Sequence, residues 1–198
     1  MRALLGSHER LREVEPGVAF QILSRTADAE KELRRSVELQ PDEHNLYELA
    51  KLLWGEQRPD EAVQALLKAA ELSLQPEGLY FDLANADLKL QRPQEALSAF
   101  DKVDRFDYKP DDITPEVVEF HARVAEGRAS AWNLLGNTQR ASEFQLAAVN
   151  LTPRNRDRWI ELARLYRLLG RPSEADKALQ AAQKLGGGKE VPSDHLSR

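Results

Sequence analysis

The chain has 198 residues, no cysteine, and 28 Lys and Arg against 33 Asp and Glu, for a formal charge of −5. That balance argues against a generic nucleic-acid binder, and no apolar run approaches the roughly 20 residues that span a bilayer, so direct membrane insertion is not expected. The absence of cysteine excludes disulfides, thiolate metal sites and Cys nucleophiles, while the length suits one ordinary domain or a modest repeat array.

In chain order, Met1-Arg2-Ala3-Leu4-Leu5-Gly6 turns charged at His8-Glu9-Arg10, too soon for the apolar centre of a signal peptide. Residues 1–17 read as an N-terminal helical cap or linker, and a cytoplasmic location is favoured unless the chain is a piece of a longer protein. Residues 18–185 are periodic. A first unit is recognisable in its second half, through Ala29, Leu33 and Pro41, its first half being broken by Pro16-Gly17. Gln57-Arg58-Pro59-Asp60-Glu61-Ala62 then recurs as Gln91-Arg92-Pro93-Gln94-Glu95-Ala96, an offset of 34 that also carries Leu49-Ala50 onto Leu83-Ala84 and Leu66 onto Phe100. Further on, Leu135-Gly136 and Ala141 map onto Leu169-Gly170 and Ala175 by the same offset. A fixed period of this length marks stacked supersecondary units.

Each unit reads as two short amphipathic helices. In the last, Trp159, Leu162, Ala163 and Tyr166 lie on one helix face, Leu169-Gly170 ends that helix, and Pro172 opens a second whose inner face is Ala175, Leu179 and Ala182. Short alanines permit the close approach of the pair, and Pro41, Pro76 and Pro153 mark the exits. Ala96 to Ala141 spans 45 residues, an excess of 11 around Tyr108-Lys109-Pro110-Asp111-Asp112-Ile113-Thr114-Pro115. Thr114 as N-cap and Pro115 behind it predict a lengthened helix over about 115–135, and three added turns nearly preserve its facing. Gly186-Gly187-Gly188-Lys189 lacks the preceding strand, the leading glycine and the following Ser or Thr of a phosphate loop, so 186–198 reads as a helix stop and flexible Gly-rich tail.

These residues resemble the tetratricopeptide repeat (TPR) family. Arg156–Lys189 matches its pattern closely, the unit from Ala122 more loosely with Arg128 in place of a leucine, and the units from Glu43 and Glu77 carry Gln57 and Gln91 where glycine is usual. The resemblance implies an all-α, right-handed superhelical solenoid of about four full helix-turn-helix units plus a degenerate N-terminal one. It also implies a concave groove that holds a partner protein or extended peptide.

Nothing in the sequence supports catalysis, a cofactor or a metal. His8, His44, His121 and His195 are scattered, with His44 and His121 near helix starts where solvated histidines are expected, and Asp111-Asp112 have no convergent second group. Asn150-Leu151-Thr152 fits a glycosylation acceptor but is followed by Pro153 and preceded by no secretion signal. Carrying the family's groove positions onto this chain selects Tyr47, Lys51, Trp54, Phe81, Asn85, Leu88, Arg123, Asn133, Arg164 and Arg167 as partner-binding candidates. Beside them stand His44, Gly78, Glu126, Ser130, Asp157 and Ile160, so the lining runs from aromatic and apolar to basic. The residues by which some family members clamp a chaperone's C-terminal carboxylate are absent, with Glu48, Asp82, Gly127 and Glu161 standing where that clamp needs asparagine or arginine. Charge is segregated too: residues 41–121 carry a net −10 and 122–185 a net +5. A split of this size suits steering of a partner, or head-to-tail pairing of copies into a homo-oligomer. The reading is a non-enzymatic interaction module, with a self-assembling structural protein, or the interaction region of a longer enzyme or membrane protein, as alternatives.

Overall fold

The structure, a computed structural model, describes residues 16–103 and 114–186. The cap or linker expected before Pro16, the insertion around Tyr108–Asp112 and the tail beyond Gly186 lie outside the described residues. Among those described there are nine helices and no strand: α1 (Pro16–Leu39), α2 (Glu43–Gly55), α3 (Pro59–Leu72), α4 (Glu77–Lys89), α5 (Pro93–Val103), α6 (Pro115–Leu134), α7 (Thr138–Leu151), α8 (Arg156–Leu168) and α9 (Pro172–Gly186). Each packs chiefly on its neighbours in sequence, and α4 also touches α6 directly. Among the described residues the result is a helical-repeat solenoid of four pairs, α2–α3, α4–α5, α6–α7 and α8–α9, with α1 laid against α2.

Local chemistry sets the boundaries. Prolines 59, 93, 115 and 172 stand at the first helical position, where a missing N–H is no loss. Asp42, Thr114, Asn137 and Asn155 cap α2, α6, α7 and α8 by accepting from backbone N–H groups of the first turn. Every first helix ends alike. In α2, Arg58 N–H donates to Leu53 O at 2.9 Å and Gln57 N–H to Trp54 O at 3.2 Å. The same paired bonds recur at Gln91-Arg92, Gly136-Asn137 and Gly170-Arg171, a Schellman closure requiring a left-handed residue. Gln57 (φ 61), Gln91 (φ 58), Gly136 (φ 75) and Gly170 (φ 68) supply it.

Within each pair an alanine of the first helix and one of the second are buried: Ala50 and Ala62, Ala84 and Ala96, Ala129 and Ala141, Ala163 and Ala175. With so little volume there the helices approach closely, and the core is filled between pairs by Leu53, Leu66, Phe100, Val103, Val149, Leu162 and Leu165. Pro16-Gly17 lies at the start of α1, which continues unbroken for 24 residues to Leu39, so that from Pro16 onward the degenerate first unit is one long helix. Arg34 on α1 and Arg58 in the α2–α3 turn both donate to Glu30 and Glu61 at 2.7–2.8 Å, tying α1 to the first pair.

Candidate interaction groove

The first helices α2, α4, α6 and α8 carry two adjoining cavities. The first, about 400 Å³, lies between α2 and α4 and is lined by Tyr47, Ala50, Lys51, Trp54, Leu66, Asp82, Asn85, Ala86 and Lys89. The second, about 450 Å³, lies among α4, α6 and α8, with α7 contributing Gln145. Its wall includes Asn85, Leu88, Lys89, Glu126, Ser130, Asn133, Leu134, Glu161 and Leu165. Asn85 and Lys89 belong to both, which makes one continuous groove.

Of the sequence-selected residues, Tyr47, Lys51, Trp54 and Asn85 meet in the first cavity, and Asn85, Leu88 and Asn133 in the second. Tyr47 is half-buried and its hydroxyl donates to Asp82 Oδ2 at 3.1 Å. Burial foremost, then the Asp82 charge, pushes the Tyr47 phenol above its ordinary value. Burial likewise raises Asp82, opposed by the Tyr47 hydrogen bond and the charges of Arg123 and Lys89. Lys51 Nζ sits 5.6 Å from the Tyr47 ring centre and pairs with Glu48 at 2.9 Å. Asn85 donates its amide to Phe81 O at 2.8 Å. Trp54 and Leu88 are each half-buried, packed on the core along one edge and lining a cavity along the other.

Phe81 is a correction. It is only 6% exposed, in tilted contact with Phe120 at 5.3 Å and Phe100 at 6.1 Å between ring centres, and the Arg123 guanidinium covers it at 4.6 Å. Three aromatic rings converging from α4, α5 and α6 take it into the core, so it supports the groove without presenting a surface. Arg123, exposed, is the roof of that ring and lines neither cavity. Arg164 is held by Glu161 on its own helix at 2.6 Å, and Arg167 is exposed on the last turn of α8, outside both cavities.

The basic trend along the groove is thereby muted. Glu126 and Glu161 stand among the later lining, and the buried Arg158 is bonded to Glu119 at 2.7 Å and Glu126 at 2.9 Å, with Thr152 as a further partner. Those contacts hold Glu119 below the usual carboxylate range and raise the Arg158 guanidinium. His44 is exposed, but His121 is half-buried with its ring edge-on to Phe120 at 5.7 Å, six residues into α6 rather than at its solvated start. Lys89, Asp82 and Leu134 are groove residues that the family positions passed over. Lys89 neighbours Leu88, and a one-position rotation of α4 brings it in. No group of three or more His, Cys, Asp or Glu among the described residues is arranged to hold a metal ion, and no described helix is long and apolar enough to cross a membrane.

Residues 44–76 and 157–185 match the tetratricopeptide repeat family model, one segment in the first pair and one in the last. No curated protein matches the chain in sequence. Among solved structures, a MamA protein is similar at a TM-score of 0.70 and 17% identity, over 90% of this chain and 92% of that one. MamA from Desulfovibrio magneticus RS-1 gives 0.67 and 16%, covering 88% and 94%. PilF from Pseudomonas aeruginosa gives 0.62 and 18%, covering 87% and 74%. At these identities the likeness shows the fold alone. Four phased helix pairs, alanines at each crossing and family matches at both ends give this chain the tetratricopeptide-repeat fold, with repeats of that family at residues 44–76 and 157–185.

Proposed function

We propose that the chain is a non-catalytic scaffold that holds a partner protein through an extended segment lying along α2, α4, α6 and α8. The observation that carries this is the continuous groove, in which aromatic and aliphatic edges alternate with amide and charged groups. Stacked helical repeats make elongated surfaces suited to such segments, and half-buried aromatics are the side chains that anchor them. Tyr47, Trp54 and Leu88 supply apolar contact. Lys51, Asn85 and Asn133 supply hydrogen bonds, whereas Arg164 must leave Glu161 before it can contribute.

A photo-crosslinking phenylalanine analogue at Lys51 or Asn133, compared with the same analogue at Gln64 in the cleft between α1 and α3, tests this in the source cell. Adducts to a partner from the groove positions and not from Gln64 support the reading. Equal adducts from both, or none, reject it. The segregation of charge favours a second reading, head-to-tail self-association of acidic and basic ends. Light scattering across a salt series separates the two. Such an assembly dissolves as the screening length falls from about 10 Å at 0.1 M salt to about 3 Å at 1 M.

A further inference from the structure

Successive helices are joined by short turns and run antiparallel, so the last turns of the second helices and the first turns of the helices that follow share one edge of the solenoid. Nine large apolar side chains are exposed among the described residues, and five of them stand on that edge. Leu39 ends α1, Leu72 ends α3, Leu74 lies in the turn after it, Leu151 ends α7 and Leu185 is in the last turn of α9. Leu39 is 78% exposed and Leu74 97%, and none of the five lines either cavity of the groove. Single exposed leucines are ordinary, but a row of them on one edge marks an interaction surface.

The edge is also divided by charge. Its first half, at the α1–α2 and α3–α4 junctions, carries Glu38, Asp42, Glu43, Glu71 and Glu77, and residues 36–43 and 69–79 contain no Lys or Arg. Arg35 and Lys68 stand one turn behind and leave this half acidic in sum. The last half carries Arg154, Arg156 and Lys184 against Asp157. Glu38, Glu43, Glu71, Arg154 and Lys184 are exposed, and none has an ion-pair partner among the described residues. Glu38 and Glu71 sit in the last turns of α1 and α3, where the partial negative charge of a helix end disfavours a carboxylate, and neither turn has a basic residue to offset it.

We propose that a second copy of this chain covers the edge in antiparallel register, the leucines and carboxylates of one copy's first half meeting the leucines and cations of the other's last half. A two-fold axis makes that contact twice, so the pairing is isologous and closes at two copies, unlike head-to-tail association. Parallel register sets acid against acid, which the same charges disfavour. The antiparallel pair supplies what each half lacks: cations for the unopposed carboxylates at the ends of α1 and α3, and cover for Leu39 and Leu74. It uses the edge and not the cavities, so it neither needs nor excludes a partner in the groove.

Sedimentation velocity of the full chain, from micromolar to the highest soluble concentration at about 0.1 M salt, should show monomer passing into dimer and nothing larger. Leu74→Ser should weaken the dimer roughly tenfold, since a two-fold contact loses the side chain twice. Leu74 is exposed in the monomer, so its fold is spared, and circular dichroism checks the helix content. Two further variants reverse one half each: Glu38→Lys, Glu43→Lys and Glu71→Lys together, and Arg154→Glu, Arg156→Glu and Lys184→Glu together. The changes at Glu38, Glu71 and Arg156 agree with the helix dipoles, which favours folding of both variants. Neither should dimerise alone in that range, and an equimolar mixture should, because each reversed half then meets its opposite on the other chain. A wild type that stays monomeric overturns the proposal, as do species that grow beyond two copies. So does a dimer indifferent to Leu74→Ser, or reversed variants that still pair alone or fail to combine on mixing. Crosslinks from Lys51 and Asn133 test the groove separately, and their result stands whichever way this one falls.

Discussion

Four first helices end in the same left-handed turn, and two of those turns use glutamine for it. A side chain in that conformation crowds the following carbonyl, at a cost of roughly 1 kcal/mol that glycine avoids. Gln91→Gly should therefore raise the unfolding free energy by up to about 1 kcal/mol, and Gly136→Ala should lower it by a similar amount, both readable from urea titrations at unchanged slope. A second residue-scale cost lies at Asp87, 4% exposed at the position that Leu53 (1% exposed) fills one repeat earlier. Burial pushes the Asp87 carboxyl from 3.8 up to about 6, with the Arg92 charge only partly opposing it. The folded value exceeds the unfolded one, so this group costs nothing while protonated below 3.8, and stability falls as pH rises through about 6. The penalty above that window is about 2–3 kcal/mol. Asp87→Leu should remove the decline between those pH values and raise stability at pH 7 by about that amount. A variant whose stability keeps the wild-type pH slope would show that the slope has another source.

At the scale of helices, the packing of α5 on α6 turns on a single glycine. Phe100 is wholly buried, and a Cβ on Gly127 would lie 2.1 Å from its ring tip, so glycine is required for the two helices to meet there. Arg128, where the family pattern has leucine, donates to Phe100 O at 2.9 Å and to Asp101 at 3.2 Å, bonding α6 to α5. Gly127→Ala should destabilise by about 3 kcal/mol through overpacking. Combining it with Phe100→Leu should recover part of that loss, although Phe100→Leu is itself destabilising. Thermal unfolding of the two single variants and the double one measures the coupling, and simple additivity would deny the close approach. Arg158 joins α8 to α6 in another way, by a guanidinium whose Nη atoms are fully engaged and whose Nε finds no partner.

The whole molecule is nearly one-dimensional. Because each helix packs mainly on its sequence neighbours, stability is a sum of units and interfaces, and the ends can be lost without the middle. Truncation after Leu151 removes α8 and α9 and leaves Glu119 and Glu126 without Arg158. The remainder should still fold cooperatively, with a denaturant slope reduced in proportion to the surface removed and a lower midpoint. Loss of all cooperative unfolding would mean that the last pair is integral to the rest.

The repeat was legible because its signals are local. A proline at a first helical turn, an alanine at a crossing and a Gly, or Gln, at a left-handed closure act within a few residues, and their recurrence at 34 fixes helix pairs and hence the all-α solenoid. The side chains at groove positions were legible only as candidates. Whether Phe81 is an anchor or a core ring depends on Phe100 and Phe120 arriving from two other helices, and no spacing in α4 encodes that. Whether Arg164 is available depends on where Glu161 turns, and the place of Lys89 in both cavities depends on the angle at which α4 meets α2 and α6. Sequence by itself determined the period, the helices and the repeat type, since each rests on preferences of short range. Tertiary structure alone decided which faces are buried and which charges stay unmatched, since those follow from the rotation of each helix against neighbours that lie far along the chain.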